Sequence, residues 1–215
     1  MKIKILKQKP AFTLIELLAV VFLIVIIAAL LIPTGPHPSK STTIMCLSNL
    51  RQLSLGSILF SEDHGGKYPW QTSVTNGGSL ELIDKNLTYP HWLTLSNYAL
   101  QPKLFVCPTD ELKHIAPNFS EFGESNVSYF VNLDAVTNSV ESVLAGDRHL
   151  QSSGVPVKPG LFIAKTNVSW SKELHGQNGS LGVLAFGDGH AVIAKQNVGT
   201  FFAAEVMLTN RLQVP

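Results

Sequence analysis

The feature that most constrains this chain is an apolar run of 19 residues near its amino terminus, residues 14–32, in which Glu16 is the only charged residue. A helix rises about 1.5 Å per residue, so the run would measure roughly 28 Å, close to the hydrocarbon thickness of a bilayer. Four lysines and no acidic residue precede the run, and such basic residues stay on the cytoplasmic side of a membrane. The sequence therefore predicts one transmembrane helix, with the rest of the chain on the opposite side.

Glu16 is the unusual residue of this run. An ionised side chain within a membrane helix costs about 3 kcal/mol or more, and it usually marks a function or a partner. Alternatively, Glu16 lies near the inner headgroups and extends its carboxylate into them. The position alone leaves both interpretations open.

Residues 11–16, Ala-Phe-Thr-Leu-Ile-Glu, resemble the class III signal of type IV prepilins and type II secretion pseudopilins. In that family a membrane peptidase cuts before the Phe and methylates the new amino terminus. The family usually has Gly before the cut, and this chain has Ala11, which is also small. The resemblance implies cleavage between Ala11 and Phe12 and methylation of Phe12. It also implies that Glu16 pairs with the Phe12 amine of a neighbouring subunit, since paired charges lose less on burial.

The composition agrees with an exported protein and not with a nucleic-acid-binding one. Without the leader, residues 1–11, the chain keeps 12 basic and 15 acidic residues, a net charge of −3. Its Lys and Arg are scattered, so no basic patch indicates a nucleic-acid partner. A cleaved secretory signal would have a shorter apolar core and an Ala-x-Ala site. Instead, three prolines and a glycine follow at 33–38.

Behind the apolar run the sequence predicts a kink and a second helical stretch over 33–62. Apolar or small residues recur there at spacings of four and three, which is the pattern of one buried helix face: Cys46, Leu50, Leu53, Ser57 and Phe60. Leu55 and Leu59 fall off this face, and they pack either on the domain's flank or on a neighbouring subunit. The predicted domains are therefore a leader at 1–11, a transmembrane and assembly helix at 12–32, this continuation at 33–62, and an extracytoplasmic domain at 63–215.

The remaining segments favour an α+β fold with a small antiparallel sheet. A short helix is predicted at 91–100 and strands at 103–106, 126–131 and 142–145. The clearest signal is a hairpin at 182–194 with Asp188 and Gly189 in its turn. Residues 198–212 are ambiguous and are interpreted as a short helix. The predicted fold is pilin-like, with a long amino-terminal helix that is transmembrane in its first half and packs on the sheet domain through its amphipathic second half.

The globular segments extend the resemblance to prepilin-like proteins that are abundant in planctomycetes and verrucomicrobia. Those relatives often carry a His, nine residues and then Asp-Gly. Here twelve residues separate His175 from Asp188 and Gly189, so the pattern is stretched by three. An insertion at 176–180 or a lost pairing would explain this difference.

Two cysteines, Cys46 and Cys107, fall in the predicted extracytoplasmic part, where disulfides persist. They form either a bridge or two buried thiols.

The resemblance also suggests a metal site, because the related major pseudopilins hold calcium. Asp110, Asp147 and Asp188 are dispersed candidates for Ca²⁺. His175 with His190 would instead suit a transition metal. No cofactor other than such an ion is expected.

The sequence contains no catalytic motif, and we expect no enzyme activity. The resemblance implies a pilin-like or pseudopilin-like subunit of a type IV pilus or type II secretion filament at the inner membrane. Its expected partners are the prepilin peptidase and methyltransferase, other pilin-like subunits and the inner-membrane assembly platform. The alternative is a membrane-anchored binding module for a carbohydrate or envelope partner. In that case Trp70, Trp92 and Trp170 would form an exposed binding face rather than part of the core.

Overall fold

The computed structural model describes residues 13–31, 38–98, 101–171, 175, 181–195, 197–203 and 210–215. The chain divides into two units, Met1–His37 and Pro38–Pro215. The predicted leader, both residues of the predicted cleavage site and positions 33–37 of the predicted kink lie outside the described residues.

The first unit contains helix α1, Leu14–Leu31, which has 18 residues. Every side chain described in it, over residues 14–29, is exposed. In the part of the chain that the structure describes, no helix is long and apolar enough to cross a membrane. The predicted transmembrane first half of a long pilin-like helix is therefore wrong. The described helix has 18 residues, which is about 27 Å and shorter than the roughly 30 Å hydrocarbon core of a bilayer.

The second unit begins with helix α2, Pro38–Asp63, which has 26 residues. Proline suits the first helical position because its missing N–H would have no partner there. The predicted buried face is confirmed, since its five residues are at most 2 % exposed. Ser57 does not break this face, because its hydroxyl donates to the Leu53 carbonyl at 2.9 Å. Leu55 and Leu59 are about half exposed.

Among the described residues nine strands follow, and all pair in antiparallel fashion. They are β1 Tyr129–Asn132, β2 Val143–Asp147, β3 Leu150–Ser152, β4 Val155–Pro156, β5 Gly160–Ala164, β6 Val168–Trp170, β7 Leu181–Phe186, β8 Ala191–Lys195 and β9 Asn210–Val214. Six form one sheet in the order β5-β9-β1-β2-β7-β8, and three form a smaller sheet in the order β4-β3-β6. Two short α-helices, α3 Tyr89–Leu93 and α4 Gly199–Ala203, and several short 3-10 turns are also described in this unit. The α+β class and the antiparallel sheet agree with the sequence analysis.

The six-stranded sheet is covered on both faces. Tyr129 and Val131 of β1 belong to a core with the buried face of α2, whereas Phe130 between them belongs to a second core. That second core contains Trp170 and Leu212. Since alternate side chains of a strand point to opposite faces, the sheet separates two cores.

The three tryptophans lie in these cores and are at most 1 % exposed. The Trp92 indole donates to the Tyr129 carbonyl at 3.1 Å, and the Trp170 indole donates to the Ala194 carbonyl at 3.0 Å. The interpretation of Trp70, Trp92 and Trp170 as an exposed binding face is therefore wrong.

Two local predictions also differ from the structure. The strand expected at 103–106 is instead a 3-10 turn, Pro102–Phe105, because proline favours the first position of such a turn and offers no ladder N–H. The segment interpreted as a carboxyl-terminal helix contains α4 and then β9, which lies between β5 and β1. The hairpin at 182–194 is confirmed as β7 and β8.

Leu53 and Leu55 offer a matched test of the α2 packing. Leu53 is fully buried and Leu55 is 47 % exposed on the same helix. We expect Leu53→Ala to lower the free energy of unfolding by about 2–5 kcal/mol, because it leaves a cavity. Leu55→Ala should cost less than about 1 kcal/mol in the isolated subunit. Urea unfolding of both variants checks this, and equal losses would contradict the assigned helix face.

Candidate functional site

Glu16 closes the first turn of α1. The Thr13 backbone N–H donates to the Glu16 carboxylate at 2.9 Å, and the Thr13 hydroxyl donates to the same oxygen at 2.8 Å. In return, the Glu16 N–H lies 3.4 Å from the Thr13 hydroxyl oxygen. Such a reciprocal pair is a capping box, which satisfies N–H groups that the first turn leaves free. Ala11 and Phe12 are not among the described residues, so the pairing of Glu16 with a Phe12 amine stays a prediction.

Cys46 and Cys107 form a disulfide, with their Cα atoms 5.1 Å apart. Of the alternatives that the sequence left open, the structure has the bridge. Both residues are fully buried. The bridge joins α2 to the segment after the Pro102–Phe105 turn, across a sequence separation of 61. Loop-closure entropy for a separation of this size is worth about 4 kcal/mol.

His175 lies beside this disulfide and is 3 % exposed. Its Nε2 atom is 3.6 Å from the Cys107 sulfur and 3.1 Å from Asp147 Oδ2. Its Nδ1 atom faces two hydroxyls, at 3.2 Å from Thr43 and 3.4 Å from Thr109. The imidazole therefore connects α2, the segment that carries Cys107 and Thr109, and the end of β2. We call Cys46, Cys107 and His175 the cysteine–histidine cluster.

Asp147 supplies the buried negative charge next to this cluster. Its Oδ2 also accepts from the Val183 backbone N–H of β7 at 2.7 Å. Its Oδ1 is buried, with no hydrogen-bond partner among the described residues. Burial, together with the nearby Asp147 charge, raises the pKa of the Tyr129 hydroxyl well above its usual value. Asp147 thus interacts with the backbone of β7 and, through its charge, with Tyr129 of β1.

In hydrolases, a hydroxyl, an imidazole and a carboxylate in line can act as nucleophile, general base and the group that orients the base. Here Thr43, His175 and Asp147 are all less than 5 % exposed. A substrate has no access to a set buried this deeply. The arrangement favours a structural connection over catalysis.

Asp110 makes a different pairing. Its carboxylate accepts two hydrogen bonds from the Arg148 guanidinium, at 2.7 and 2.8 Å. Burial raises the pKa of Asp110, but the Arg148 hydrogen bonds and charge outweigh it and hold this pKa below its usual value. Burial, with the Arg148 charge, lowers the pKa of the neighbouring His149 to about 4. Asp110 therefore serves as the counter-ion of Arg148.

Asp188 and Gly189 occupy the β7–β8 turn. Asp188 accepts hydrogen bonds from the backbone N–H and ring of His190. Gly189 has φ of 89°, and a Cβ there would lie 3.0 Å from Ile58 of α2. The Ser54 hydroxyl of α2 also donates to the Gly189 carbonyl at 3.3 Å. The turn thus favours glycine because of its positive φ, and the close approach of α2 adds to this preference.

The structure does not place His175 next to Asp188 and Gly189, the residues of the His and Asp-Gly pattern that the prepilin-like proteins carry. His175 contacts Thr43 near the start of α2, and Gly189 contacts Ser54 eleven residues later. Eleven helical residues span about 16 Å. Residues 176–180, where an insertion was expected, are not described.

The three aspartates predicted as calcium ligands do not form one site either. Asp110 pairs with Arg148, Asp147 with His175, and Asp188 with His190. Across the described residues, the one group of His, Cys, Asp or Glu placed to hold a metal ion is the cysteine–histidine cluster, whose ligand atoms lie within 4.8 Å of one another.

Sequence reasoning missed both hydroxyls that face His175. Thr43 stands three residues before Cys46, which places both on one face of α2. Thr109 stands two residues after Cys107, and its hydroxyl lies 3.0 Å from that sulfur. Both threonines lie close to a cysteine in the sequence. This closeness identifies them as partners of His175 only when the position of His175 beside the disulfide is known.

No protein-family model, no curated protein and no solved structure matches this chain. What the site does must therefore be argued from its own geometry.

The Asp110–Arg148 pair gives a testable dependence on pH. Replacing Asp110 by Asn leaves Arg148, whose side chain is 14 % exposed, without its counter-ion. We expect Asp110→Asn to lower the free energy of unfolding by about 3 kcal/mol at neutral pH. Adding Arg148→Met should recover most of this loss, because no unpaired charge then remains.

Since the pKa of Asp110 is lowered in the folded state, its contribution is present above the ordinary aspartate pKa of about 4 and is lost as pH falls below it. Denaturant unfolding from pH 7 to pH 3 should therefore show the wild type and Asp110→Asn converging at the acidic end. A constant difference across this range would contradict the assigned ion pair.

Proposed function

We propose that this protein is a pilin-like or pseudopilin-like subunit that assembles into a filament through helix α1. In this proposal a prepilin peptidase cuts between Ala11 and Phe12 and methylates Phe12, and Glu16 then directs the packing of subunits. The partners are other pilin-like subunits and an inner-membrane assembly platform. The folded second unit lies outside the cytoplasm.

The observation that carries the proposal is the surface of α1. Its described side chains are all exposed, and Glu16 is the only charged residue among them. An apolar surface of this extent is unfavourable in water, so an exposed apolar surface marks an interaction site. A filament core made from the same helix of many subunits would cover it.

The disulfide supports the proposed location of the second unit. A fully buried bridge between Cys46 and Cys107 is stable in an oxidising compartment, and disulfides are rare in the cytosol. Export before oxidation agrees with a processing signal at the amino terminus.

The alternative of a carbohydrate-binding module has less support. Its aromatic platform was expected from the three tryptophans, and all three are buried. Sugar-binding faces need exposed rings, so nothing in these residues favours that alternative.

Glu16 has two potential roles, a charge for assembly and the carboxylate of a capping box. Glu16→Gln separates them, because glutamine at this position can still accept the Thr13 N–H but carries no charge. Glu16→Ala removes both. We expect both variants to be processed but not built into filaments, because neither can pair with a neighbour's amine. Incorporation is measured by immunoblot of sheared or overproduced filaments.

Thr13→Ala is the control, since it loses the hydroxyl of the capping box and keeps the charge. It should still assemble. If Glu16→Gln assembles like the wild type while Glu16→Ala does not, the role of Glu16 is capping and the charge pairing is wrong. If both Glu16 variants assemble, the proposed route through Glu16 fails.

Processing has its own measurement. After reduction of the disulfide, the intact mass of the mature protein should equal that of residues 12–215 with one methyl group in place of a hydrogen on the Phe12 amine. A mature chain that keeps residues 1–11, or that begins elsewhere, would contradict the proposed cleavage between Ala11 and Phe12.

A further inference from the structure

The cysteine–histidine cluster combines two sulfurs and one imidazole nitrogen in a fully enclosed site. Each of the three residues is at most 3 % exposed. Their ligand atoms lie within 4.8 Å of one another. In the disulfide form the sulfurs are bonded to each other and cannot act as thiolates. The same three residues have a second chemistry once that bond is absent.

We propose that the reduced chain binds one zinc-like divalent ion through Cys46, Cys107 and His175, in place of the disulfide. Thiolate sulfur and imidazole nitrogen are the ligands that zinc prefers in tetrahedral protein sites. This inference is independent of the proposed filament function, since it concerns the interior of the second unit.

The distance between sulfur and nitrogen already fits such a site. Zinc–sulfur bonds are about 2.3 Å and zinc–nitrogen bonds about 2.0 Å, so a tetrahedral angle separates the two ligand atoms by about 3.5 Å. The Cys107 sulfur and His175 Nε2 are 3.6 Å apart. The sulfurs must separate to about 3.8 Å, which rotation of the two cysteine side chains can provide.

Asp147 lies beside the site on the side of His175, although its carboxylate is not among the ligand atoms that lie within 4.8 Å of one another. Its Oδ2 is 3.1 Å from the His175 nitrogen that faces the sulfur. Its Oδ1 has no hydrogen-bond partner in the described part of the chain. A buried carboxylate with an unused oxygen would lower its free energy next to a cation. Asp147 therefore completes the coordination by holding a zinc-bound water, which is the fourth ligand.

The hydrogen bonds that hold the His175 ring are already present in the disulfide form. The His175 Nδ1 atom faces the Thr43 and Thr109 hydroxyls, and these orient the ring with Nε2 towards the sulfur. Metal-bound histidines usually have such a partner on the nitrogen that does not bind the ion. The imidazole is therefore held in an orientation that a metal ligand needs.

The redox step balances with a dithiol as the reductant. The dithiol gives two electrons and two protons to the S–S bond, which becomes two thiols, and the dithiol closes to its own disulfide. Zinc binding then releases the two thiol protons and forms two zinc–sulfur bonds. Since both sulfurs are fully buried, this exchange takes place in the unfolded or newly made chain.

In the experiment the full chain is unfolded in detergent and denaturant with dithiothreitol. After removal of the reductant, it is refolded without oxygen and with one equivalent of zinc. An oxidised sample is treated in parallel. We expect one zinc per reduced chain after desalting and none on the oxidised chain. Cobalt in place of zinc should give the charge-transfer band of a thiolate-bound ion. Zinc should also raise the melting temperature of the reduced chain only.

Variants assign the ligands. His175→Ala and Asp147→Asn should weaken zinc binding by at least tenfold each, whereas His190→Ala, at the β7–β8 turn, should leave it unchanged. The proposal is overturned if the reduced chain retains no more zinc than the oxidised chain, whether or not it folds. It is also overturned if His175→Ala binds zinc as tightly as the wild type, because two thiols alone then account for the ion.

Discussion

Burial of one face of α2 against the sheet is the interaction on which the rest of this structure depends. The helix packs against β2, β7 and β8 through residues that are almost fully excluded from solvent. The other connections of the second unit attach along the same helix in order. His175 contacts this helix at Thr43, the disulfide is attached to it at Cys46, and the β7–β8 turn contacts it at Ser54. One helix thus fixes the positions of segments that are far apart in sequence.

This burial also explains the polar contacts beneath the helix. A charge that loses its water must find a partner, or its desolvation outweighs what the surrounding apolar contacts contribute. Asp110 is paired with Arg148, and Asp147 accepts from His175 and from a backbone N–H of β7. These pairs select one arrangement of β2 and its neighbours, because a shifted strand would leave buried charges without partners. Their net stabilisation is small, and their removal is costly.

Sequence reasoning succeeded where the signal was local and periodic. The α2 face and the β7–β8 hairpin follow from spacing and turn chemistry alone, whereas β9 does not, because its environment is set by β5 and β1. The same limit applies to the site. Two cysteines suggested a bridge, but nothing in the sequence places His175 between Thr43 and Asp147. The capping box at Thr13 and Glu16 is a local feature, because the spacing Thr-x-x-Glu is its sequence signature.

The position of β9 has a consequence for how the second unit is made. Its residues, 210–214, insert between β5 and β1, which come about 50 and 80 residues earlier in the chain. The sheet therefore cannot close while the ribosome or an export channel still holds this segment. Long-range strand pairing of this kind is slow to form, and until it forms the folding intermediates expose apolar surface and unpaired strand edges to solvent. The second unit therefore remains open until β9 has been released. Cys46 and Cys107 both precede β9 in the chain, so their sulfurs can meet while the core is still open.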